Sequence, residues 1–125
     1  MKIEYTHEWF AANVHAFEKW FDKHTYDFKN RSNFLTYYCS HVFDKWWDAE
    51  TFNWNQSDAL ARYCHNDFNK WWDAKRYNWK IKYYLPTYCI EHLDTWYDSK
   101  HFMESKADLQ WFQLRLKMGR HFNEN

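Results

Sequence analysis

Cysteine and histidine lie close together three times in this chain, and such a combination of side chains could hold a transition metal or a haem. The pairs are Cys39 with His41, Cys64 with His65, and Cys89 with His92. Thiolate and imidazole suit zinc, copper and iron, but zinc-site spacing is absent and only the last pair shares one helix face. We therefore predict no metal and no cofactor, and interpret the cysteines as small buried side chains. Metal or haem binding through His and Cys is kept as the second alternative.

Four aspartates each follow a pair of aromatic residues, and carboxylates are common groups in acid–base catalysis. They are Asp22, Asp48, Asp73 and Asp98. A catalytic carboxylate usually stands in one unusual environment, whereas these four recur at equivalent places. We interpret them as structural, with Lys19–Asp22 and Lys45–Asp48 as ion pairs three residues apart. No hydrolase, Walker or zinc-protease motif occurs, so we name no catalytic residue and predict that the protein is not an enzyme.

A stretch near the middle of the chain interleaves aromatic and basic residues, which could stack bases and neutralise phosphates. The candidate residues are Lys75, Arg76, Trp79, Lys80, Lys82 and Tyr84. The whole chain, however, balances 17 Lys and Arg against 17 Asp and Glu. Nucleic-acid-binding proteins usually carry a strong basic stripe. Nucleic acid is therefore not the expected partner, and single-stranded nucleic-acid binding is the first alternative.

The cysteines and aspartates recur because the chain is built from similar segments. The block at 43–48, Phe-Asp-Lys-Trp-Trp-Asp, reappears with substitutions at 17–22, 68–73 and 93–98. Tyr-Cys recurs at 38, 63 and 88. The spacing of 25 or 26 residues predicts units of about 7–32, 33–57, 58–86 and 87–105, followed by a helix at 106–118. We place them all in one domain, 1–125.

Within each unit the apolar residues follow the period of an α-helix. Leu35, Cys39, Val42 and Trp46 stand at i, i+4, i+7 and i+11, the unit before repeats this spacing, and the unit after keeps the same period of 3.6 residues. The pattern predicts helices at about 7–26, 33–52, 58–77, 87–102 and 106–118. The protein is therefore expected to be all-α.

Residues at the expected helix ends suggest how the helices start and stop. Predicted N-caps are Thr6, Ser32, Ser57 and the capping box of Ser105 with Asp108, while Pro86 fits a first helical turn. Only one glycine is present, so the stops need another residue. We predict that Asp27, Asn53 and Asn78 take the left-handed conformation that ends a helix.

Helix length and linker length together suggest the topology. A 20-residue helix is about 30 Å long, and the five residues 53–57 cannot span that distance back. Neighbouring helices should then run antiparallel. We predict a pseudo-symmetric up-down bundle of about five antiparallel helices, with the last helix as a cap and a short α-solenoid as the alternative.

The composition is dominated by 31 aromatic residues, against 12 Ile, Leu and Val. Adjacent rings such as Trp46–Trp47 give each helix an apolar arc wider than one interface needs, so exposed aromatics could form a homo-oligomer or bind a protein partner. The chain shows no transmembrane stretch and no signal peptide, and its three cysteines suggest reduced thiols. We expect a cytoplasmic protein.

These observations favour a non-enzymatic helical-repeat protein with a structural, protein-binding or self-associating role. The local signals agree from unit to unit as they do in designed proteins, so an artificial sequence without natural function is one hypothesis. Imperfect copies such as Leu93-Asp94-Thr95-Trp96 fit duplication followed by divergence equally well.

Overall fold

The helices of the repeated units are shorter than the sequence predicts, because a break interrupts each predicted helix of these units. The structure, a computed structural model, describes the backbone of residues 5–123 and the side chains of residues 5–118. The α-helices are α1 (His7–Asn13), α2 (Phe17–Trp20), α3 (Phe28–Tyr38), α4 (Phe43–Trp46), α5 (Asp58–Tyr63), α6 (Phe68–Trp71), α7 (Tyr84–Tyr88), α8 (Leu93–Trp96) and α9 (Lys106–Asn123). Short 3₁₀ helices lie at Val14–Ala16, Ser40–Val42, Trp54–Gln56, His65–Asp67, Trp79–Ile81 and Ile90–His92. The all-α prediction is confirmed, since the described residues contain no strand.

The break in each of the last three units falls at its cysteine. Cys39, Cys64 and Cys89 share φ near −120° and ψ between 22° and 28°, outside the α-helical region. The indole N–H of the tryptophan seven residues later donates to the cysteine carbonyl at 2.7 Å in all three units. Each of these carbonyls also accepts the backbone N–H three residues later, at 2.9–3.1 Å, so the indole bond adds a second donor at the break. Continuous helices over 7–26, 33–52, 58–77 and 87–102 are therefore wrong, whereas the last helix is present and extends to Asn123.

The residues predicted to stop helices start the next ones instead. The side chains of Asp27, Asn53 and Asn78 accept hydrogen bonds from backbone N–H groups two or three residues later, at 3.2, 3.1 and 3.2 Å. No described residue has a positive φ. The left-handed prediction is therefore wrong, because these side chains serve as N-caps.

A turn made by the recurring aspartates precedes each of these caps. The carboxylates of Asp22, Asp48, Asp73 and Asp98 accept the backbone N–H two residues later, at 2.7–3.0 Å. This arrangement agrees with a structural role. The predicted ion pairs are wrong, because Lys45 pairs with Glu18 and Lys23 pairs with Asp48 at 2.6 Å. Stacking brings charges of adjacent units closer than charges within one unit.

The outer helix ends behave as predicted. The Thr6 hydroxyl accepts the Trp9 N–H at 3.1 Å. Ser105 and Asp108 form the reciprocal bonds of a capping box, at 3.3 and 3.2 Å. Pro86 lies in the first turn of α7.

Ser32 and Ser57, in contrast, do not cap a helix with their side chains: Ser57 stands at the N-cap position of α5 without a capping bond, and Ser32 lies inside α3. Both are buried, and each hydroxyl accepts the backbone N–H of the asparagine that starts the next unit, Asn53 at 3.0 Å and Asn78 at 2.8 Å. Ser32 also donates to the Phe28 carbonyl within α3. The hydroxyls of these serines therefore join consecutive units instead of capping a helix.

Consecutive units stack in the same direction. Helix α3 contacts α5, α5 contacts α7, and α7 contacts α9. Between α3 and the segment 56–64 that contains α5, Asn30 contacts Gln56 near the start, and Thr36 and Tyr37 contact Cys64 and Tyr63 near the end, so the partner number rises along the helix. Antiparallel helices would show the opposite trend. The up-down antiparallel prediction is therefore wrong, since the break and the turn return the chain within each unit.

The core lies between these stacked segments and consists largely of rings. Its largest fully buried side chains are Trp46, Trp71 and Trp96. Trp46 packs face-on against Phe52, and Trp71 packs in the same way against Tyr77. Among the described residues, none of the helices is both long and apolar enough to span a bilayer.

Candidate functional site

A cavity of about 570 Å³ opens along α1, α3 and α5 and reaches the start of α7. We call it the tyrosine groove. Its aromatic lining consists of Phe34, Tyr37, Tyr38, Tyr63 and Tyr84, and its polar lining includes His7, Asn33, Asp58 and Arg62. This volume lies within the range of about 300–1,000 Å³ that is common for ligand sites.

The break positions the groove tyrosines. Cys39 and Cys64 are buried, and the tyrosine before each lies about 100° around the helix, at the edge of the core. Tyr38 and Tyr63 are therefore half-buried, with one part of the ring in the fold and the rest in the groove.

Contacts among the rings continue across units. Tyr37 meets Tyr38 and Tyr63 edge-on, with centroid distances of 4.6 and 4.9 Å. Tyr38 stacks on Phe10, and its hydroxyl lies 2.6 Å from Nδ1 of His7. Tyr37 nevertheless keeps 52% of its surface exposed. The groove thus offers accessible rings that the fold holds in fixed positions.

Two polar side chains of the groove come from equivalent positions in adjacent units. Asn33 and Asp58 are 25 residues apart, each one residue after a buried serine. The Asn33 backbone N–H donates to the Gln56 side chain at 3.0 Å. The side-chain Oδ1 of Asn33, in contrast, is buried without a hydrogen-bond partner in the described structure. Burial raises the pKa of the half-buried Asp58 carboxyl, because desolvation disfavours its charged form.

Arg62 is the cationic residue of this set and lies one helical turn after Asp58. Its guanidinium carbon lies 5.0 Å from the centre of the Tyr63 ring, within the range of a cation–π contact. No salt bridge joins Arg62 to Asp58, and neither residue has an ion-pair partner in the part of the chain that the structure describes.

The structure disperses the residues predicted for nucleic-acid stacking. Trp79 is half-buried, stacks on His101 at 3.8 Å and donates to the Ala74 carbonyl. The Lys82 ammonium donates to the His101 carbonyl at 2.5 Å. Internal contacts therefore occupy both side chains.

The remaining predicted residues face different surroundings. Arg76 bridges Glu50 and Asp73 and donates to the Ala49 carbonyl at 3.0 Å. Lys75 and Lys80 are exposed, and Tyr84 lines the tyrosine groove. The six side chains do not form one basic stacking surface, and only Tyr84 belongs to the groove.

The cysteines are buried rather than arranged as ligands. Burial raises the pKa of Cys39 and Cys89 to about 12 and also raises that of Cys64. The Cys89 thiol donates to the Ala61 carbonyl at 3.6 Å. The described residues contain no group of three or more His, Cys, Asp and Glu that could hold a metal ion.

Sequence reasoning missed the groove residues Asn33, Tyr37, Asp58, Arg62 and Tyr63 as a set. A signal was present in the differences between units. Position 33 is Asn where its equivalents at 58 and 83 are Asp and Tyr, and position 37 is Tyr where 62 and 87 are Arg and Thr. The recurring residues that shape the backbone and join the units, which we call the framework, dominate the sequence pattern.

Comparison with known proteins adds nothing to this geometry. No family model matches the chain, and no significant match occurs among curated proteins or solved structures.

Proposed function

We propose that this chain is a short, non-enzymatic α-solenoid that binds a protein partner through the tyrosine groove. The observation that carries the proposal is the groove itself, where exposed rings and unpaired polar groups from several units meet in one cavity. Tyrosine and arginine are enriched at protein interfaces, because each combines a large contact area with a polar end.

In-register stacking supports the solenoid part of the proposal. In a solenoid each unit contacts its neighbours through the same surfaces, so equivalent bonds recur along the stack. Ser32 to Asn53 and Ser57 to Asn78 are such a pair of bonds. Solenoids commonly bind partners along the surface that their stacked helices create.

Differences between units support the binding part. Residues that shape the backbone recur in each of the last three units, as Cys64 and Trp71 do. Groove residues such as Asp58 and Arg62 differ from their equivalents. A constant framework with a varied surface is the arrangement that lets one backbone present a specific chemical pattern.

A peptide selection tests the proposal. A library of random peptides is selected on the immobilised 125-residue protein, and enriched peptides are then measured against Tyr37→Ala and Tyr83→Ala. Both tyrosines are exposed, but only Tyr37 lines the groove. We expect Tyr37→Ala to weaken binding at least about tenfold, the loss of one central interface ring, while Tyr83→Ala binds like the parent. Failure to enrich any peptide with this dependence would overturn the proposal.

Self-association through exposed aromatics stays a prediction. Helix α9 exposes Trp111, Leu114 and Met118, at i, i+3 and i+7. This spacing places the three side chains along one face of the helix. A second copy of the chain is the occupant that the predicted homo-oligomer would place there.

A further inference from the structure

We infer that the Asp58 end of the tyrosine groove takes the cationic side chain of a lysine or arginine from the bound partner. The inference rests on the proposed function and names the chemistry of its ligand. Three features of the groove carry it: a half-buried carboxyl without a cation, a neighbouring acceptor without a donor, and rings around both.

The carboxyl of Asp58 is the first feature. It lies at the start of α5, lines the cavity and has no ion-pair partner among the described residues. A carboxylate removed from water loses solvation that only a cation or several donors can replace. By contrast, Asp48 in the turn of its unit pairs with Lys23 and accepts backbone donors. The Asp58 carboxylate can therefore be stabilised by a cation that enters the groove.

The side-chain oxygen of Asn33 is the second feature. Asn33 lines the same cavity from the adjacent helix, and its Oδ1 is buried without a donor. The terminal torsion of an asparagine is soft, so this oxygen can turn toward a donor that enters the cavity. An ammonium offers three donors and a guanidinium five, whereas neutral side chains offer fewer. Two acceptors in one cavity thus favour a donor-rich cation.

The tyrosine rings are the third feature. The faces of aromatic rings attract cations, and the groove already contains one example, because the Arg62 guanidinium lies over Tyr63. Tyr37 and Tyr84 also line the cavity, and Tyr37 is about half exposed. A partner's lysine or arginine stem could pack on these rings while its charged end reaches the two acceptors.

An anionic ligand is the other possibility, since Arg62 also lines the groove. Arg62 is exposed to water, however, and an ion pair at an exposed site contributes little to affinity. The half-buried carboxylate of Asp58 has lost more of its solvation than the Arg62 guanidinium has. Pairing Asp58 with an opposite charge therefore contributes more to the free energy of binding. Charge complementarity therefore favours a cation at the Asp58 end.

A nuclear magnetic resonance titration tests the inference with defined probes. The isotope-labelled protein is titrated with acetyl-Gly-Lys-Gly-amide and with the same peptide carrying norleucine, which keeps the aliphatic stem but has no charge. We expect the lysine peptide to shift the side-chain amide of Asn33 and the backbone amides of α5. The norleucine peptide should produce less than about a tenth of that shift, because it lacks charge-assisted hydrogen bonds.

Two variants complete the experiment. Asp58→Asn should weaken the lysine peptide about 10- to 100-fold, and Glu91→Gln, an exposed carboxyl outside the groove, should leave binding unchanged. Unshifted indole signals of Trp46, Trp71 and Trp96 would report an intact fold. Equal shifts from the two peptides, no shift from either, or an unaffected Asp58→Asn would overturn the inference. The proposed function is decided separately, by the selection against Tyr37→Ala and Tyr83→Ala.

Discussion

The framework and the tyrosine groove contain similar types of polar side chain, but these groups are paired in the framework and unpaired in the groove. In the framework, tryptophan donors, turn carboxylates and serine hydroxyls are each matched to a partner, and the matches recur from unit to unit. In the groove, Asp58 lacks an ion-pair partner and Asn33 Oδ1 lacks a donor among the described residues. The difference teaches that the unpaired polar groups of the groove stand at positions that vary between units, whereas the recurring polar groups are paired; of the recurring residues, Tyr38 and Tyr63 also line the groove.

The largest test of the comparison removes a framework ring. Trp71 is 2% exposed, and its indole donates to the Cys64 carbonyl at the break. Trp71→Ala should lower the free energy of unfolding by about 3–5 kcal/mol, through the cavity left by the ring and the loss of the indole hydrogen bond. Tyr37→Ala in the groove should cost only about 1 kcal/mol, the worth of its ring contacts. Urea denaturation measures both, and similar costs would contradict the division between framework and groove.

A smaller effect is expected from the hydroxyl that joins two units. Ser57 is fully buried and accepts the Asn78 N–H at 2.8 Å. Ser57→Ala should lower the free energy of unfolding by about 1–3 kcal/mol, because the amide loses its acceptor in a buried place. Ser99, which is exposed in a turn, provides the matched control. If Ser57→Ala is as mild as Ser99→Ala in urea denaturation, the stacking of units does not depend on this bond.

The smallest expected effect is a difference in how a framework carboxyl and a groove carboxyl make the stability of the protein depend on pH. The Lys23 ammonium lowers the pKa of Asp48 below its ordinary 3.8, together with the backbone N–H of Glu50, whereas desolvation raises the pKa of Asp58 above 3.8. Asp48 therefore contributes stability above pH 3.8, which is lost as pH falls through its folded pKa. For Asp58 the sign reverses: protonation favours folding, and this stabilisation is lost as pH rises through the folded pKa.

Replacing each carboxyl by an amide makes this difference in pH dependence measurable. At pH 7 Asp48→Asn should destabilise the protein, and Asp58→Asn should leave it unchanged or stabilise it. The Asp58→Asn difference should disappear as the pH falls through the raised folded pKa to 3.8, whereas the Asp48→Asn difference should shrink only below pH 3.8, as the pH falls through the lowered folded pKa. The midpoint of urea denaturation from pH 7 to pH 3 measures this. Destabilisation by Asp58→Asn at pH 7 would show that the groove carboxyl has a partner.

Much of the local structure could be predicted from the residues. The helical period, the caps at Thr6 and Ser105 and the place of Pro86 depend on neighbours a few positions away, so sequence spacing is sufficient. Ser32 and Ser57 show where this reasoning fails. A serine before a helical pattern looks like a cap, but its hydroxyl bonds to the next unit, some 21 residues later.

The candidate site was harder to predict than the fold. Asp58 and Asn33 are ordinary surface residues by their local sequence, and they acquire interest only because parallel stacking places both in one cavity. The six residues predicted to stack bases show the converse. They are close in sequence, yet Trp79 and Lys82 are engaged with His101 instead of forming a shared surface.

By itself, the sequence determined that the chain is helical, that its pattern recurs every 25 or 26 residues and that aromatic rings fill its core. These properties follow from periodicity and composition, which act over short distances along the chain. Only the tertiary structure decided that the units stack in parallel, that the cysteines mark breaks and that unpaired groups meet in a groove. Each of these depends on hydrogen bonds and ring contacts between residues far apart in sequence, which form only when the chain has returned on itself within every unit.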